Sequence, residues 1–338
     1  MIKEQLEKVI DGRHLAFDDA RRLMLIIMEG QVNPSQIAAL LTALKIKGEV
    51  PDEIAGFAMA MREKSVKLDI DDDNLIDVCG TGGDSSGTFN ISTTSAFVVA
   101  GAGVKVAKHG NRSISSSSGS ADVLKALGVN INLSPERSRQ AIGEIGISFL
   151  FAPDYHPAMK HVAPVRKELA MKTVFNILGP LTNPAGTKKQ VIGTFNSLAA
   201  ERMVKAAVKL DMERVCFVCT ENRFDEIVLS GKIQVFEYAR TSGVHAKTLT
   251  HEDFGLPSVN QDQLKGATPE QNADILLKIL SGEEKRAPYF VTLANAAMGL
   301  YVAGISDDLK LCTEKAKEVI ASGKALEKLQ ALRHTRYQ

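Results

Sequence analysis

The sequence predicts an α/β protein, with a small N-terminal helical domain followed by a larger domain on a mostly parallel central sheet. Three observations predict it. Residues 1–66 carry helix signals and no strand signal. From residue 70 onward, short apolar runs end in Gly-rich turns and are followed by helix patterns, the grammar of parallel strands joined by crossover helices. A chain of 338 residues is long enough to divide unequally and still bury a sizeable core.

In the N-terminal part, Asp18 is placed to cap a helix with the interior RRLMLIIM, ending at Gly30. Asn33-Pro34 supplies a cap and a proline at the first helical position. The stripe Ile37, Leu40, Leu41, Leu44 follows, and Gly48 ends that helix. Pro51-Asp52-Glu53 opens another helix, which carries Phe57, Met59 and Met61. A helical piece this short leaves apolar faces that need covering, so a homodimer contact is expected.

An acidic linker, 69–73, leads into a strand at 75–79 and a helix from 92 to about 102. A second strand is predicted at 104–107 and a helix around 121–127. Further strands are expected at 191–195, 215–218 and 233–238, with helices at 199–210, 269–281, 288–303 and 306–321. Residues 164–184 read as a crossing between lobes. The expected division is a helical domain over 1–66, with a contribution from about 168–188, and an α/β domain over 70–338.

Lys+Arg number 41 and Asp+Glu 40, a formal net charge of +1, which argues against nucleic acid as the main partner. The start MIKEQLEKVIDG lacks the apolar core of a signal peptide, and the most apolar stretch, 96–107, is short and broken by Lys105. The expectation is a soluble cytoplasmic protein without a membrane partner. Cys216 and Cys219 have metal-ligand or redox spacing. They fall in an apolar run that reads as a buried strand, where residues three apart face opposite ways.

Ligands of open parallel sheets bind beyond the carboxyl ends of the strands, and two strand ends here carry unusual sequences. The first is Gly80-Thr81-Gly82-Gly83-Asp84, followed by Asn90-Ile91-Ser92-Thr93 at a helix start. Such a turn brings backbone amides close to an anion. It is not a P-loop, because no Lys follows the glycines, and Ser85 stands where a dinucleotide fingerprint needs its third glycine. Alone, the turn is equally compatible with packing. The second strand end sets Lys108, His109, Asn111 and Arg112 around Gly110, and then Ser113, Ser115, Ser116, Ser117, Ser118 and Ser120 before a helix. Side by side, the two loops suit a ligand with several phosphates.

At these residues the chain resembles the anthranilate phosphoribosyltransferase family of tryptophan biosynthesis. The resemblance rests on GTGGD at 80–84, FNIST at 89–93, KHGNR at 108–112 and SGSADVL at 118–124. It continues through FLFAPDYHPAMKHVAPVR at 149–166, FNILGPLTNPA at 175–185, DEI at 225–227 and EDFGL at 252–256. It implies a nucleoside phosphorylase/phosphoribosyltransferase-like fold, a homodimer, and the substrates 5-phosphoribosyl 1-diphosphate and anthranilate with Mg2+. Gly80, Gly82, Gly83, Asp84, Thr88, Asn90, Ile91, Ser92, Thr93, Lys108, Gly110, Asn111, Arg112, Ser115, Ser116 and Ser120 are the implied diphosphate and phosphoribosyl contacts. Ser92, Asp225 and Glu226 are the implied Mg2+ ligands, hard oxygens of the kind this ion prefers. Gly80, His109, Asn111, His156, Arg166, Gly179 and Pro180 form the implied anthranilate site, with the planar Arg166 fork on the carboxylate. Lys108, His109 and Arg166 are the implied catalytic groups, His109 as a candidate acceptor of the final proton. His161 is taken as structural.

The sequence departs from the family pattern at Ser117, at Ala170 and Lys172, and in the run 219–224 before Asp225. Two other readings compete with this one. Pyrimidine nucleoside phosphorylases share the general architecture but carry a Ser-Gly-Arg-type segment in place of KHGNR. A non-catalytic nucleic-acid-binding relative would call for a basic groove.

Overall fold

The computed structural model of the chain describes residues 2–70, 72, 74–84, 86–113 and 118–335. Four helices come first: α1 (Ile2–Ile10), α2 (Phe17–Met28), α3 (Pro34–Lys47) and α4 (Pro51–Glu63). Asn33 caps α3 as its sequence predicts, its side chain accepting from the Gln36 amide at 3.0 Å. Asp18 does not cap α2. It is the second helical residue, and the cap position falls to Ala16 without a side-chain bond. There Asp18 and Asp19 complement the positive end of the helix dipole instead.

The strands are β1 (Ile76–Gly80), β2 (Val106–Gly110), β3 (Ile147–Phe151), β4 (Lys189–Gly193), β5 (Arg214–Thr220), β6 (Ile233–Ala239) and β7 (Gly243–Leu249). They form one sheet of order β3-β2-β1-β4-β5-β6-β7. The first five in that order run parallel, and β6 and β7 pair antiparallel at one side. The mostly parallel sheet is therefore as predicted, and β1 and β2, which carry the two unusual ends, are neighbours. Two strands escaped the sequence reading: β3 is a short, uniformly buried run, and β7 is polar and half exposed.

The second strand differs from its expected bounds in a way that matters. It runs 106–110, not 104–107, so Lys108, His109 and Gly110 belong to the strand itself. The register with β3 is continuous through Gly110↔Phe151, which supplies the ladder bonds that carry the strand so far.

The remaining helices are α5 (Ile91–Gly101), α6 (Ser120–Ala126), α7 (Pro135–Glu144), α8 (Ala152–Tyr155), α9 (Ala163–Leu169), α10 (Phe175–Leu178), α11 (Ser197–Ala207), α12 (Pro269–Leu280), α13 (Ala287–Ala303), α14 (Leu309–Ala321) and α15 (Lys324–Arg333). Of the longer ones, α7 and α15 were not expected from the sequence. On one face of the sheet, Ile76, Val78 and Val106 pack with Phe97 of α5 and Met298 of α13. On the other, Cys79, Ile192 and Phe217 pack with Met203 of α11 and with Leu23 and Phe57 of the N-terminal helices. Phe175, Leu178 and Leu181 of the crossing segment join this second core. Buried apolar side chains of this kind contribute about 1.5–3 kcal/mol each, so the crossing segment is anchored to both lobes.

Cys216 and Cys219 lie on β5 and are buried free thiols. Strand alternation sends them to opposite faces, and burial pushes both thiols above their ordinary range. No helix among the described residues is long and apolar enough to cross a membrane.

Candidate active site

The carboxyl ends of β2, β1, β4 and β5 lie side by side, and the candidate residues gather above them. Gly80 ends β1 and Gly193 ends β4. A Cβ at Gly80 would lie 2.7 Å from Asp225 Oδ2, and one at Gly193 would overlap the Asp225 carbonyl. The two missing side chains are what let the loop after β5 settle on the sheet edge. Gly193 was not singled out from the sequence.

Asp225 then meets the glycine turn. Its Oδ2 accepts from the Gly82 amide at 2.6 Å, and its own amide donates to Asp84 Oδ2 at 3.4 Å. Gly82 and Gly83 hold positive φ values, +65° and +72°, which favour glycine. The Gly82 amide, expected to face a phosphate, is thus directed at Asp225. Glu226 Oε1 accepts from the Ser92 amide at 3.1 Å, at the start of α5. Burial, reinforced by the charge of Asp84, pushes the Asp225 carboxyl up to about 7. Burial also raises Glu226, with Asp225 adding to the shift and Lys108 opposing it.

Among the described residues, no three His, Cys, Asp or Glu side chains are grouped so as to hold a metal by themselves. Two crowded carboxylates beside the Ser92 hydroxyl nevertheless suit Mg2+, which binds through few protein oxygens and keeps the rest for water and substrate phosphate.

Lys108 points to the α5 side. Its Nζ donates to the Val78 carbonyl at 2.7 Å and lies 3.4 Å from Ser92 Oγ. Asn90 is tied down by Ser118 and by Asn272, whose Nδ2 donates to Asn90 Oδ1 at 3.0 Å. Thr88 pairs with Lys265 in an isolated bridge. The side chains of Ile91 and Thr93 are buried, and Thr93 lines a small gap with Phe97, Lys108 and Ser148. The Ile91 amide is taken by the Phe89 carbonyl at 2.7 Å, so the Thr93 amide, not these side chains, is what remains for a ligand. Ser115 and Ser116, and the departure at Ser117, lie outside the described residues.

Gly110 permits close packing: a Cβ there would overlap Ser120 Oγ and approach Phe149 to 2.7 Å. Ser120 Oγ donates to the Asn111 carbonyl at 3.2 Å. The Ser113 and Gly119 amides both donate to Asp122 Oδ2, closing the neck of the Ser-rich loop. Arg112 turns toward Asp122 at 3.7 Å and stacks over Phe151, so in this arrangement its guanidinium serves the loop.

His109 points to the other face of the sheet. Its ring lies 5.2 Å from that of His156, both buried, and reaches the Gly179 backbone, while the His156 ring reaches the Thr182 backbone. Burial holds His109 down to about 3 and His156 to about 4, so both are neutral imidazoles near pH 7. Arg166, on α9, stacks over Phe175 at 5.2 Å, and its guanidinium makes no hydrogen bond or ion pair among the described residues. A half-buried, unpaired fork is suited to an incoming carboxylate. Gly179 and Pro180 form a 3-10 turn directly after α10.

Several supporting residues were not found from the sequence. Asp77, buried on β1, accepts from the His109 amide at 3.3 Å and from Asn183 Nδ2 at 2.8 Å. Asn295 clamps Ile227 by donating to its carbonyl at 2.8 Å and accepting from its amide at 3.1 Å. Thr220 Oγ1 donates to the Glu226 carbonyl at 2.8 Å, and it closes the 220–224 turn in which Glu221 and Asn222 take positive φ. Their common signal is a polar side chain inside an apolar run, such as Asn295 within the long helix α13. Lys172, remote in sequence, stacks on Phe195 and lies against Gly83.

Residues 72–326 match the model of a glycosyl transferase family a/b domain, and residues 3–65 that of the family's helical bundle domain. An anthranilate phosphoribosyltransferase from Salinibacter ruber is 46% identical over 331 residues, covering 97% of this chain and 96% of that protein. The crystal structure of an anthranilate phosphoribosyltransferase from Thermus thermophilus superposes with a TM-score of 0.92 at 44% identity, covering 98% of each chain. The Saccharomyces cerevisiae enzyme in complex with PRPP and Mg gives a TM-score of 0.91 at 28% identity, covering 99% of this chain and 97% of that one. The same yeast enzyme has been solved with 4-fluoroanthranilate.

Proposed function

The chain belongs to the glycosyl transferase family of the anthranilate phosphoribosyltransferases, and on that premise we propose how its residues divide the reaction. It transfers the phosphoribosyl group of 5-phosphoribosyl 1-diphosphate to the amine of anthranilate, releasing diphosphate, in L-tryptophan biosynthesis. It uses Mg2+.

The observation that carries the division is the two-sided site. Asp84, Asp225 and Glu226 meet Lys108 and the glycine turn on one side, and a neutral imidazole pair lies on the other. Ser92, Asp225 and Glu226 hold Mg2+, which when bound neutralises charge on the leaving diphosphate. Lys108 and the amides around Gly80, Gly83 and Asn90 supply positive charge and donors to the same group, with the Ser-rich loop completing the cradle. Arg166 pairs with the anthranilate carboxylate and presents the amine, and His109, His156, Asn111, Gly179 and Pro180 form the rest of the acceptor wall. An arylamine is neutral at pH 7, so its lone pair needs no strong base. What the protein supplies is alignment of the two substrates, displacement then proceeding with inversion at the anomeric carbon. His109 is the candidate to relay the proton that the amine loses, since burial disfavours its charged form and it would pass the proton on and not keep it.

The unit over 1–66, joined by 168–188, is the helical lobe against which the α/β unit over 70–338 works. A homodimer contact through that lobe would cover Ile10 and Ile46, which are 63% and 82% exposed on α1 and α3. The protein acts in the cytoplasm. Mixing protein, Mg2+, 5-phosphoribosyl 1-diphosphate and anthranilate should give a loss of anthranilate fluorescence that vanishes when any component is omitted. No loss in the complete mixture would refute the reading.

A further inference from the structure

The 3-10 turn Gly179–Thr182 has two of its carbonyls, those of Pro180 and Leu181, taken by side chains of other elements. The His109 ring of β2 reaches the Gly179 backbone. Gln190 Nε2 of β4 donates to the Pro180 carbonyl at 2.9 Å. Arg62 Nε of α4 donates to the Leu181 carbonyl at 2.6 Å, and the His156 ring reaches the Thr182 backbone. Thr182 Oγ1 adds a bond to the Gly179 carbonyl at 2.9 Å. Short helical turns leave such carbonyls without backbone partners, and a buried carbonyl left unpaired is costly.

Two of the donors, Arg62 and Gln190, are side chains to which nothing so far assigns a part in the reaction. Arg62 is partly buried, and desolvation lowers its guanidinium to about 10. It has no carboxylate partner among the described residues and spends its donors on Leu181, on the Leu210 carbonyl at 2.8 Å and on Met212 Sδ. A partly buried guanidinium whose hydrogen bonds go to two carbonyls and a thioether, with the opposing charge of Asp211 only at a distance, is an unusual way to hold backbone, which argues for a specific geometric task. Gln190 is a buried amide in an apolar strand, and its Nε2 also lies 3.4 Å from Asp77 Oδ2. The outer side of the turn is open: a Cβ built on Gly179 would meet nothing within 4 Å.

We propose that Arg62 and Gln190 are positioning residues for the aromatic acceptor. By drawing the Leu181 and Pro180 carbonyls into the protein, they hold the turn with its carbonyl-free side toward the acceptor. The proposal rests on the reading of Gly179 and Pro180 as part of the acceptor wall. The chemistry favours that orientation. A carbonyl oxygen facing the site would repel the carboxylate of the acceptor and compete with it for Arg166, whereas a wall of Cα–H groups accepts an aromatic face.

The test is steady-state kinetics of the full-length protein with each substrate varied in turn, for Arg62→Met, Arg62→Lys, Gln190→Met and Arg166→Ala, with melting temperatures as the fold control. Arg62→Met and Gln190→Met should raise the anthranilate KM about tenfold, while the 5-phosphoribosyl 1-diphosphate KM stays within about twofold. Arg62→Lys should recover part of the loss. If Arg62→Met does not fold, Gln190→Met decides, being close in volume and leaving no cavity. Equal rises in both KM values, or no rise in either, would overturn the proposal. If Arg166→Ala leaves the anthranilate KM unchanged, the acceptor wall itself is misassigned. A rise for Arg166→Ala without one for Arg62 and Gln190 removes only the positioning role.

Discussion

Lys108 and His109 are adjacent in sequence and serve opposite faces of the sheet. The Lys108 ammonium lies between the Val78 carbonyl and Ser92 at the start of α5, while the His109 ring lies against His156 and the Gly179 backbone. The cause is strand geometry. Because β2 continues through Gly110, consecutive side chains alternate across it. One dipeptide therefore feeds both halves of the site, which meet only above the strand ends.

That separation predicts a kinetic split. Lys108→Met removes a cation on the diphosphate side and should lower kcat by about 10²-fold, with the anthranilate KM little changed. His109→Gln should instead raise the anthranilate KM and leave the 5-phosphoribosyl 1-diphosphate KM near its starting value. Varying each substrate against a saturating partner reads both constants. A Lys108→Met protein whose anthranilate KM rises as steeply as its kcat falls would contradict the division.

The two loops were legible because their chemistry is local: glycines for a sharp turn and a basic cluster at a strand end need no distant partner to be recognised. The end of β2 was not, since Lys108 and His109 look like loop residues until the ladder with β3 extends the strand over them. Arg62, Asp77, Gln190 and Asn295 were passed over for a related reason. Each is one polar residue in an apolar stretch, and its meaning lies in carbonyls and amides far away in sequence. Gly193 shows the same limit from the other side. Only the loop after β5, folded over it, explains why no side chain is allowed.

Gly80 and Gly193 make different demands, and alanine at each should separate them. At Gly80 the new Cβ meets the end of the Asp225 carboxylate, which can shift, and the Asp225 carbonyl only at 3.2 Å, which needs to give by a few tenths of an ångström at most. Gly80→Ala should fold and need several-fold more Mg2+ for half-maximal activity, with donor turnover falling in step. At Gly193 the new Cβ meets Asp225 backbone, which cannot yield without moving the whole loop. Gly193→Ala should lose about 1–3 kcal/mol of stability as well as activity. Titrating Mg2+ at saturating substrates and comparing urea midpoints distinguishes them. Unchanged Mg2+ dependence in Gly80→Ala would remove Asp225 from the metal assignment.

The buried histidines give a pH dependence with a definite sign. His156 titrates at about 4 when folded against 6.5 for the free side chain, with burial the chief cause. Between those values the unfolded chain binds a proton that the folded one refuses, so this contribution to stability is lost as pH falls below about 6.5. Asp225 and Glu226, shifted upward, act in the opposite sense, which makes the parent protein alone a poor readout. The comparison with His156→Gln cancels them. From pH 7 to pH 5 the parent should lose about 2 kcal/mol more unfolding free energy than the variant. Urea denaturation at the two pH values measures it, and equal losses would mean that His156 is hydrated or already charged.

Gly179 offers the most direct probe of where the acceptor ring lies. Its φ and ψ, −48° and −53°, are ordinary helical values that any L-residue adopts, and the space beyond its Cα is empty. A side chain there costs the fold little and intrudes only on whatever occupies that space. Gly179→Val should therefore melt close to the parent and keep its 5-phosphoribosyl 1-diphosphate KM, while the anthranilate KM rises by about tenfold or more. Gly179→Ala should lie between the two, because the single methyl fills less of the space. If valine is accepted with no change in either KM, the ring does not pass over Gly179, and the acceptor wall must be drawn from His109, His156 and Arg166 alone.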